Sequence, residues 1–189
     1  PLVVLLPPAG GSLICYRELV KLLCNRDEIA IIGIQYPDVL PYVPTITDIA
    51  NRYSQSLMHY MKDVSDCNFR QVNIVGYSFG GNVGTEMCRI LNQSVKNMNL
   101  FLIDSHPPIA YSDDIIDSDG FTHSFSMILI QMFRLDKAYH KHFRTESEML
   151  SWYSKLLNKE LGIEPDDFHR LYKIWKQNHH SLRGYKQKT

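Results

Sequence analysis

Val72-Asn73-Ile74-Val75-Gly76-Tyr77-Ser78-Phe79-Gly80-Gly81 decides how this chain is read. An apolar strand runs into Gly-x-Ser-x-Gly, and a segment of helical periodicity, Phe79 to Leu91, follows at once. That context is the signature of a nucleophilic serine, carried on a strand-to-helix turn that leaves its oxygen exposed. A side chain larger than hydrogen at Gly76 or Gly80 would crowd so tight a turn. The helix that starts after Ser78 presents N-terminal amides and the positive end of its dipole, both of which favour negative charge developing nearby.

Outward from this turn, the apolar runs Leu2 to Leu6, Ile29 to Ile34, Val72 to Val75 and Leu100 to Ile103 are continuous rather than alternating. Continuous runs predict strands buried on both faces, as in a parallel sheet. Helical periodicity lies between them, at about Leu13 to Cys24, Ile46 to Met61 and Phe79 to Leu91, so strand and helix alternate and the fold class is α/β. The loop from Tyr36-Pro37-Asp38 through Pro41 to Pro44 is rich in breakers, with Thr45 or Thr47 as the cap of the next helix. After Asp104 about eighty residues carry no convincing strand. Phe121 to Phe133 is apolar on most sides. Thr145-Glu146-Ser147-Glu148 fits a capping box ahead of a helix that stops at Gly162, and Pro165 suits the first turn of another. One domain is expected over 1–189, with an α/β core over 1–110 and a helical lid region over 111–185. The apolar face of that lid either lines an acyl channel or packs the lid itself.

Composition excludes several function classes. Twenty basic residues balance twenty acidic ones, so charge points to neither nucleic acid nor an anionic membrane. Cys15, Cys24, Cys67 and Cys88 are scattered, with no Cys-x-x-Cys pair, and read as reduced packing residues of a cytoplasmic protein. No apolar run reaches membrane-spanning length, and no signal-peptide pattern opens the chain. Because the first residue is Pro1, the sequence is expected to be cut from a longer polypeptide.

A serine hydroxyl needs a histidine to take its proton and a carboxylate to orient that histidine. Asp104, ending the run Leu100-Phe101-Leu102-Ile103, is the candidate acid, because a parallel sheet brings it to the same carboxyl edge as Ser78. An oxyanion hole needs two backbone amides. Phe79 N–H follows the nucleophile directly, and the second amide is expected from Pro7-Pro8-Ala9-Gly10-Gly11 after the first strand. Pro7 and Pro8 have no N–H, which leaves Ala9 or Gly10, with Ala9 favoured.

Taken in order, the strand with Pro7-Pro8-Ala9-Gly10-Gly11, the Gly76-Tyr77-Ser78-Phe79-Gly80-Gly81 turn and Ile103-Asp104-Ser105-His106-Pro107-Pro108 resemble the thioesterase domains of nonribosomal peptide and polyketide synthases, within the α/β-hydrolase superfamily. The resemblance covers about the first 110 residues; beyond them only position and helical character match the family's lid. It implies an α/β-hydrolase-type parallel sheet flanked by helices, with a lid insertion. It also implies Ser78 as acyl acceptor, Asp104 as triad acid, and Ala9 and Phe79 as oxyanion donors. The implied reaction moves an acyl or peptidyl chain from the phosphopantetheine thioester of a carrier protein to Ser78, for release by water or by an internal amine or hydroxyl. The implied partner is a carrier protein, expected in the same polypeptide, and no cofactor or metal bound by the domain is expected. Asp104-Ser105-His106-Pro107-Pro108 resembles the terminal, product-releasing type. The alternatives are a stand-alone editing thioesterase and a catalytically dead module that binds a carrier protein. A lipase-like esterase fits less well, because its oxyanion loop commonly reads His-Gly-Gly.

In that family the catalytic histidine follows a further strand after the lid, and no such strand is legible before Thr189. The histidine and the last strands of the core are therefore expected outside these residues, leaving an unpaired sheet edge with exposed apolar surface. His106 is the nearest candidate but follows the acid by only two residues; His179 and His180 read as solvated helix-end residues. His140 and His142 are a weak metal pair, and His59, His123 and His169 read as surface. Without the histidine these residues alone are expected to be nearly inactive.

Overall fold

The computed structural model describes residues 1–36, 42, 44–64, 69–105, 118–139, 141–183 and 185, with the backbone alone described at 118–122 and 183. The chain divides into two compact units, Pro1–Ala110 with Ile174–Thr189, and Tyr111–Lys173.

The first unit is an α/β layer structure. Strands β1 (Leu2–Leu6), β2 (Ala30–Gly33), β3 (Val72–Tyr77) and β4 (Met98–Ile103) form one parallel sheet in the order β2-β1-β3-β4. Between them lie a 3-10 turn (Ile14–Tyr16) with helix α1 (Arg17–Leu23), helix α2 (Ile46–Asp63) and helix α3 (Phe79–Leu91). β1 shows why the apolar runs are continuous. Leu2, Val4 and Leu6 face a core built from Ile46, Ile49, Ala50, Tyr53 and Leu57 of α2 and Val83, Met87 and Leu91 of α3. Val3 and Leu5 face the opposite layer, with Tyr16 and Leu19, Val20 and Leu23 of α1. Both faces of the strand are covered, so no position can be polar. Each fully buried Leu or Ile here contributes about 1.5–3 kcal/mol.

Burial on both faces does not extend to every strand. β4 stands at the sheet edge and its Phe101, Leu102 and Ile103 are 52 %, 54 % and 42 % exposed. An apolar run records the hydrophobicity of a strand, whereas its place in the sheet decides how much of it is covered.

Helix ends follow their capping chemistry. Thr45, the cap of α2, accepts from Asp48 N–H at 3.1 Å while the Asp48 carboxylate accepts from Thr45 N–H at 2.9 Å, a complete capping box. These bonds hold the Asp48 carboxyl below its ordinary value. Thr145 caps its helix through Glu148 N–H, but the Glu148 carboxylate reaches Arg144 N–H at 3.1 Å instead of Thr145, so the expected box is half made.

The second unit is helical: α4 (Ser118–Phe133), a 3-10 turn (Lys137–Tyr139), α5 (Glu146–Leu161) and the start of α6 (Pro165–Arg183). Phe125, Leu129, Met149, Tyr153, Leu157 and Phe168 are at most 1 % exposed. The Phe125 ring meets Tyr172 edge-on at 4.8 Å, and Trp152 meets Tyr153 edge-on at 4.8 Å. These stripes are buried packing rather than the lining of an open channel. The sequence places 111–185 in one region; from Ile174 onward, α6 groups with the sheet unit.

Candidate active site

β3 delivers Ser78 directly into α3 through a backbone that few L-residues adopt, φ 52° and ψ −121°. Strain of this kind costs about 1–3 kcal/mol and persists only where surrounding structure enforces it. Here the enforcement is visible. A Cβ on Gly76 would lie 2.5 Å from the Gly80 carbonyl oxygen and the Gly81 nitrogen, and one on Gly80 would lie 2.7 Å from the Leu6 oxygen and 2.8 Å from the Pro7 oxygen. Only hydrogen fits at either place. The second contact also locates the first strand's loop, because Pro7 abuts the opening turn of α3.

β4 holds the same turn from the other side. Tyr77 pairs with Ile103, so Ser78 and Asp104 are the first residues beyond the ends of adjacent parallel strands. Ser78 N–H donates to the Ile103 carbonyl at 2.8 Å. The Ser105 hydroxyl donates back to the Ser78 carbonyl at 2.9 Å, with the Gly76 and Ile103 carbonyls at 3.3 Å as alternatives. Asp104 itself is exposed and also has positive φ, 49°. Its charge is near enough to Tyr77 to help raise that phenol above its ordinary value, burial being the larger cause.

The third component is the loop after β1. Ala9 is half-buried, and Gly11 N–H closes a turn on the Pro8 carbonyl at 2.9 Å. Among the described residues neither Ala9 N–H nor Phe79 N–H, the first amide of α3, donates a hydrogen bond. The structure thus brings Ser78, Phe79, Asp104 and the Ala9 loop to one carboxyl edge of the sheet.

Two residues that build this edge were not singled out by pattern. Tyr16, 3 % exposed, places its hydroxyl between two strand ends: it accepts from Tyr77 N–H at 2.7 Å and donates to the Leu6 carbonyl at 2.7 Å, with the Val75 carbonyl at 3.3 Å. Burial pushes this phenol well above its ordinary range. Ser105 is the other. A tyrosine opening a helix and a serine after an aspartate carry no periodic signal; their only mark is proximity to the motifs.

No histidine among the described residues bonds to Ser78 or Asp104. His59 pairs with Asp63 at 3.3 Å on α2, His123 stacks on His142 at 6.0 Å, and His169 lies 5.8 Å from the Phe168 ring. His180 is exposed, with Nδ1 2.7 Å from the Lys176 carbonyl. His179 departs from a solvated helix end: it is half-buried and stacked on Trp175 at 5.3 Å. His106 and His140 lie outside the described residues, as do Cys67 and the breaker residues Pro37, Asp38 and Pro41. Residues 141–143 are not helical, and no group of three metal-ligating side chains forms among the described residues. No helix among them is long and apolar enough to cross a membrane. A groove of about 660 Å³ lies in the helical unit, bounded by Glu146, Ser151, Lys155 and His169 among others and by none of the candidate residues.

The family model described as the thioesterase domain matches residues 1–157. The chain belongs to the thioesterase domain family. This thioesterase domain has the fold of several solved structures. They include RedJ, a thioesterase from the prodiginine biosynthetic pathway in Streptomyces coelicolor (17 % identity, TM-score 0.63, covering 100 % of this chain and 62 % of that one). The Vlm2 thioesterase domain is similar at 20 % identity and TM-score 0.65, covering 96 % and 66 %. YbtT, a type II thioesterase from the yersiniabactin pathway, is similar at 18 % and TM-score 0.58, covering 98 % and 65 %. The chain thus spans between 62 % and 66 % of the length of these three structures. Comparison with curated proteins finds no match.

Proposed function

We propose that this thioesterase domain releases an acyl or peptidyl chain from the phosphopantetheine thioester of a carrier protein, through an ester on Ser78. The observation that carries the reading is the strained, half-buried Ser78 turn seated between the Pro7-Pro8-Ala9 loop and the Asp104 strand end, in a chain of this family. Ser78 Oγ attacks the thioester carbonyl as a histidine base takes its proton, and the oxyanion forms against the N–H groups of Ala9 and Phe79. Collapse breaks the C–S bond, and the departing thiolate takes that proton from the imidazolium. Water, or an amine or hydroxyl on the chain, then attacks the ester and restores Ser78. Asp104 orients the histidine and stabilises its charged form. The histidine is the one member of this set that the described residues do not bring to Ser78.

A carrier protein is the partner this chemistry requires, and the product-release reading puts it in the same polypeptide; neither metal nor nucleic acid enters the reaction. Free thiols at Cys15, Cys24 and Cys88 suit a reducing, cytoplasmic setting. Solved thioesterases of similar fold include both synthase domains and a type II enzyme, so the fold does not choose between product release and editing. The Asp104-Ser105-His106-Pro107-Pro108 sequence favours product release. The test is covalent labelling of the full-length protein by a fluorophosphonate, followed by turnover of an acyl N-acetylcysteamine thioester. Ser78→Ala is expected to abolish both while leaving the circular dichroism spectrum unchanged. Undiminished labelling would remove Ser78 as nucleophile.

A further inference from the structure

Four residues of the chain's last helical segment anchor on the first unit in sequence: Ile174 against Gly11, Asn178 on Ala9, Ser181 on Pro44 and Tyr185 on Glu86. Of the three that lie on α6, two, Asn178 and Ser181, are buried polar side chains, which is unusual for a helix stripe whose burial would ordinarily be apolar. Asn178 is the most informative. It is 0 % exposed, its Nδ2 donates to the Ala9 carbonyl at 2.8 Å, and its Oδ1 meets no donor among the described residues. A buried amide whose carbonyl oxygen meets no donor costs stability relative to an apolar residue of the same shape. Packing therefore does not explain why an asparagine stands there.

Peptide geometry supplies a reason. No cis peptide occurs among the described residues, and in a planar trans peptide the N–H points away from the C=O. Holding the Ala9 carbonyl therefore fixes the direction of Gly10 N–H. Gly11 N–H holds the Pro8 carbonyl at 2.9 Å and fixes Ala9 N–H in the same way. Gly11 can close that turn because it sits at φ 74°, with Ile174 and Tyr36 packed where a side chain would point. Both amides able to serve as the second oxyanion donor are thus oriented by bonds on their far side, one of them supplied by α6.

We propose that Asn178 is a positioning residue for the oxyanion loop, its side-chain amide holding the Ala9–Gly10 peptide plane so that Gly10 N–H, and with it the turn that carries Ala9 N–H, keeps its direction toward the substrate oxyanion. The inference rests on the acyl-Ser78 reading. It is tested in the full-length protein with Asn178→Leu, which keeps the branched outline and the number of side-chain heavy atoms but removes the donor, and with Asn178→Asp as a second variant of the same shape in case the first does not fold. Active sites are titrated with a fluorophosphonate, and turnover of the acyl thioester is expressed per titrated Ser78. Affinity for an alkyl boronate, which becomes a tetrahedral anion on the serine, is measured alongside. The expected result is a kcat per site about 10- to 100-fold lower, KM within about twofold, and a boronate Ki raised by the same factor as kcat falls. A purely structural asparagine would lower the melting temperature and the fraction of titratable sites but leave kcat per site unchanged. Turnover per site within about twofold of wild type in whichever variant folds overturns the proposal, as does a raised KM with kcat intact. Wild-type protein that takes no label fails the acyl-Ser78 reading itself, and the proposal with it; that failure is visible before any Asn178 variant is made.

Discussion

Replacing Tyr16 with Phe removes one oxygen atom and isolates a single physical cause. The hydroxyl sits between Tyr77 N–H and the Leu6 carbonyl, 2.7 Å from each, and continues the β1–β3 pairing one step beyond its last residue pair, Leu6 with Gly76. Without it, a buried N–H loses its acceptor and a carbonyl loses a donor, while the ring keeps its packing against Leu5, Val75 and Leu19. Two neutral hydrogen bonds are worth about 0.5–1.5 kcal/mol each, and an orphaned buried donor pushes the total toward the upper end, so the expected loss is about 2–3 kcal/mol. With a urea m-value of about 2 kcal/mol/M, the midpoint of the sheet unit's transition falls by about 1–1.5 M at unchanged slope. Hydrogen exchange gives the local reading, with the Tyr77 amide losing about 30- to 150-fold of its protection. A midpoint shift below about 0.2 M, with Tyr77 still protected, would mean that the strand ends close directly on one another and that the tyrosine bridge carries no stability.

Asp104→Asn is expected to lower thioester turnover by about 10⁴-fold with the fold intact; activity near wild type would place the acid elsewhere. Gly76→Ala sets a methyl 2.5 Å from backbone atoms of Gly80 and Gly81, so backbone must move; a loss of about 1–3 kcal/mol by chemical denaturation and slower fluorophosphonate labelling are expected. Thr45→Ala removes the α2 cap and should cost about 0.5–2 kcal/mol by thermal unfolding. Because Asp48 titrates below its ordinary value when folded, its contribution is complete above about pH 4 and lost as pH falls through the lower folded value. Asp48→Asn should therefore lower stability at pH 6 and flatten its decline between about pH 4 and pH 2, as melting temperatures across that range will show.

Local chemistry made the sheet legible. Strands buried on both faces must be apolar throughout, and Leu2 to Leu6 is, so β1 was readable to the residue. The Ser78 turn was equally readable, because close approach of α3 to the strand ends admits only glycine at 76 and 80. β4 shows the limit of pattern alone: Leu100 to Ile103 has the same character as β1 but lies at the edge of the sheet among the described residues, where the sequence leads one to expect an unpaired apolar edge. The sequence carries no mark of the division inside α6 for a related reason. Periodicity continues unbroken through α6, and what divides it at Ile174 is the identity of the residues it meets, not its own pattern. Tyr16, Ser105 and Asn178 were illegible because each acts on a backbone group remote in sequence, 169 positions away for Asn178 and Ala9. A side chain that bonds to main chain leaves no complementary residue type to search for.

That common feature explains how the edge can hold strain. Ser78 and Asp104 both occupy left-handed backbone, at about 1–3 kcal/mol each, and neither is a glycine. The bonds that pin Ser78 come from the two residues flanking Asp104: Ile103 accepts its N–H and Ser105 donates to its carbonyl. Gly81 N–H donates to that same carbonyl at 2.9 Å as α3 begins. Three bonds of about 1 kcal/mol each are of the same order as the two distortions together, and two of the three cross between the strand ends, so Ser78 is kept in place by the residues that flank Asp104. Relaxing either turn would break bonds that the other needs. Ser78 and Asp104 are therefore positioned as a pair by main chain, and a substitution at one is expected to disturb the geometry of both.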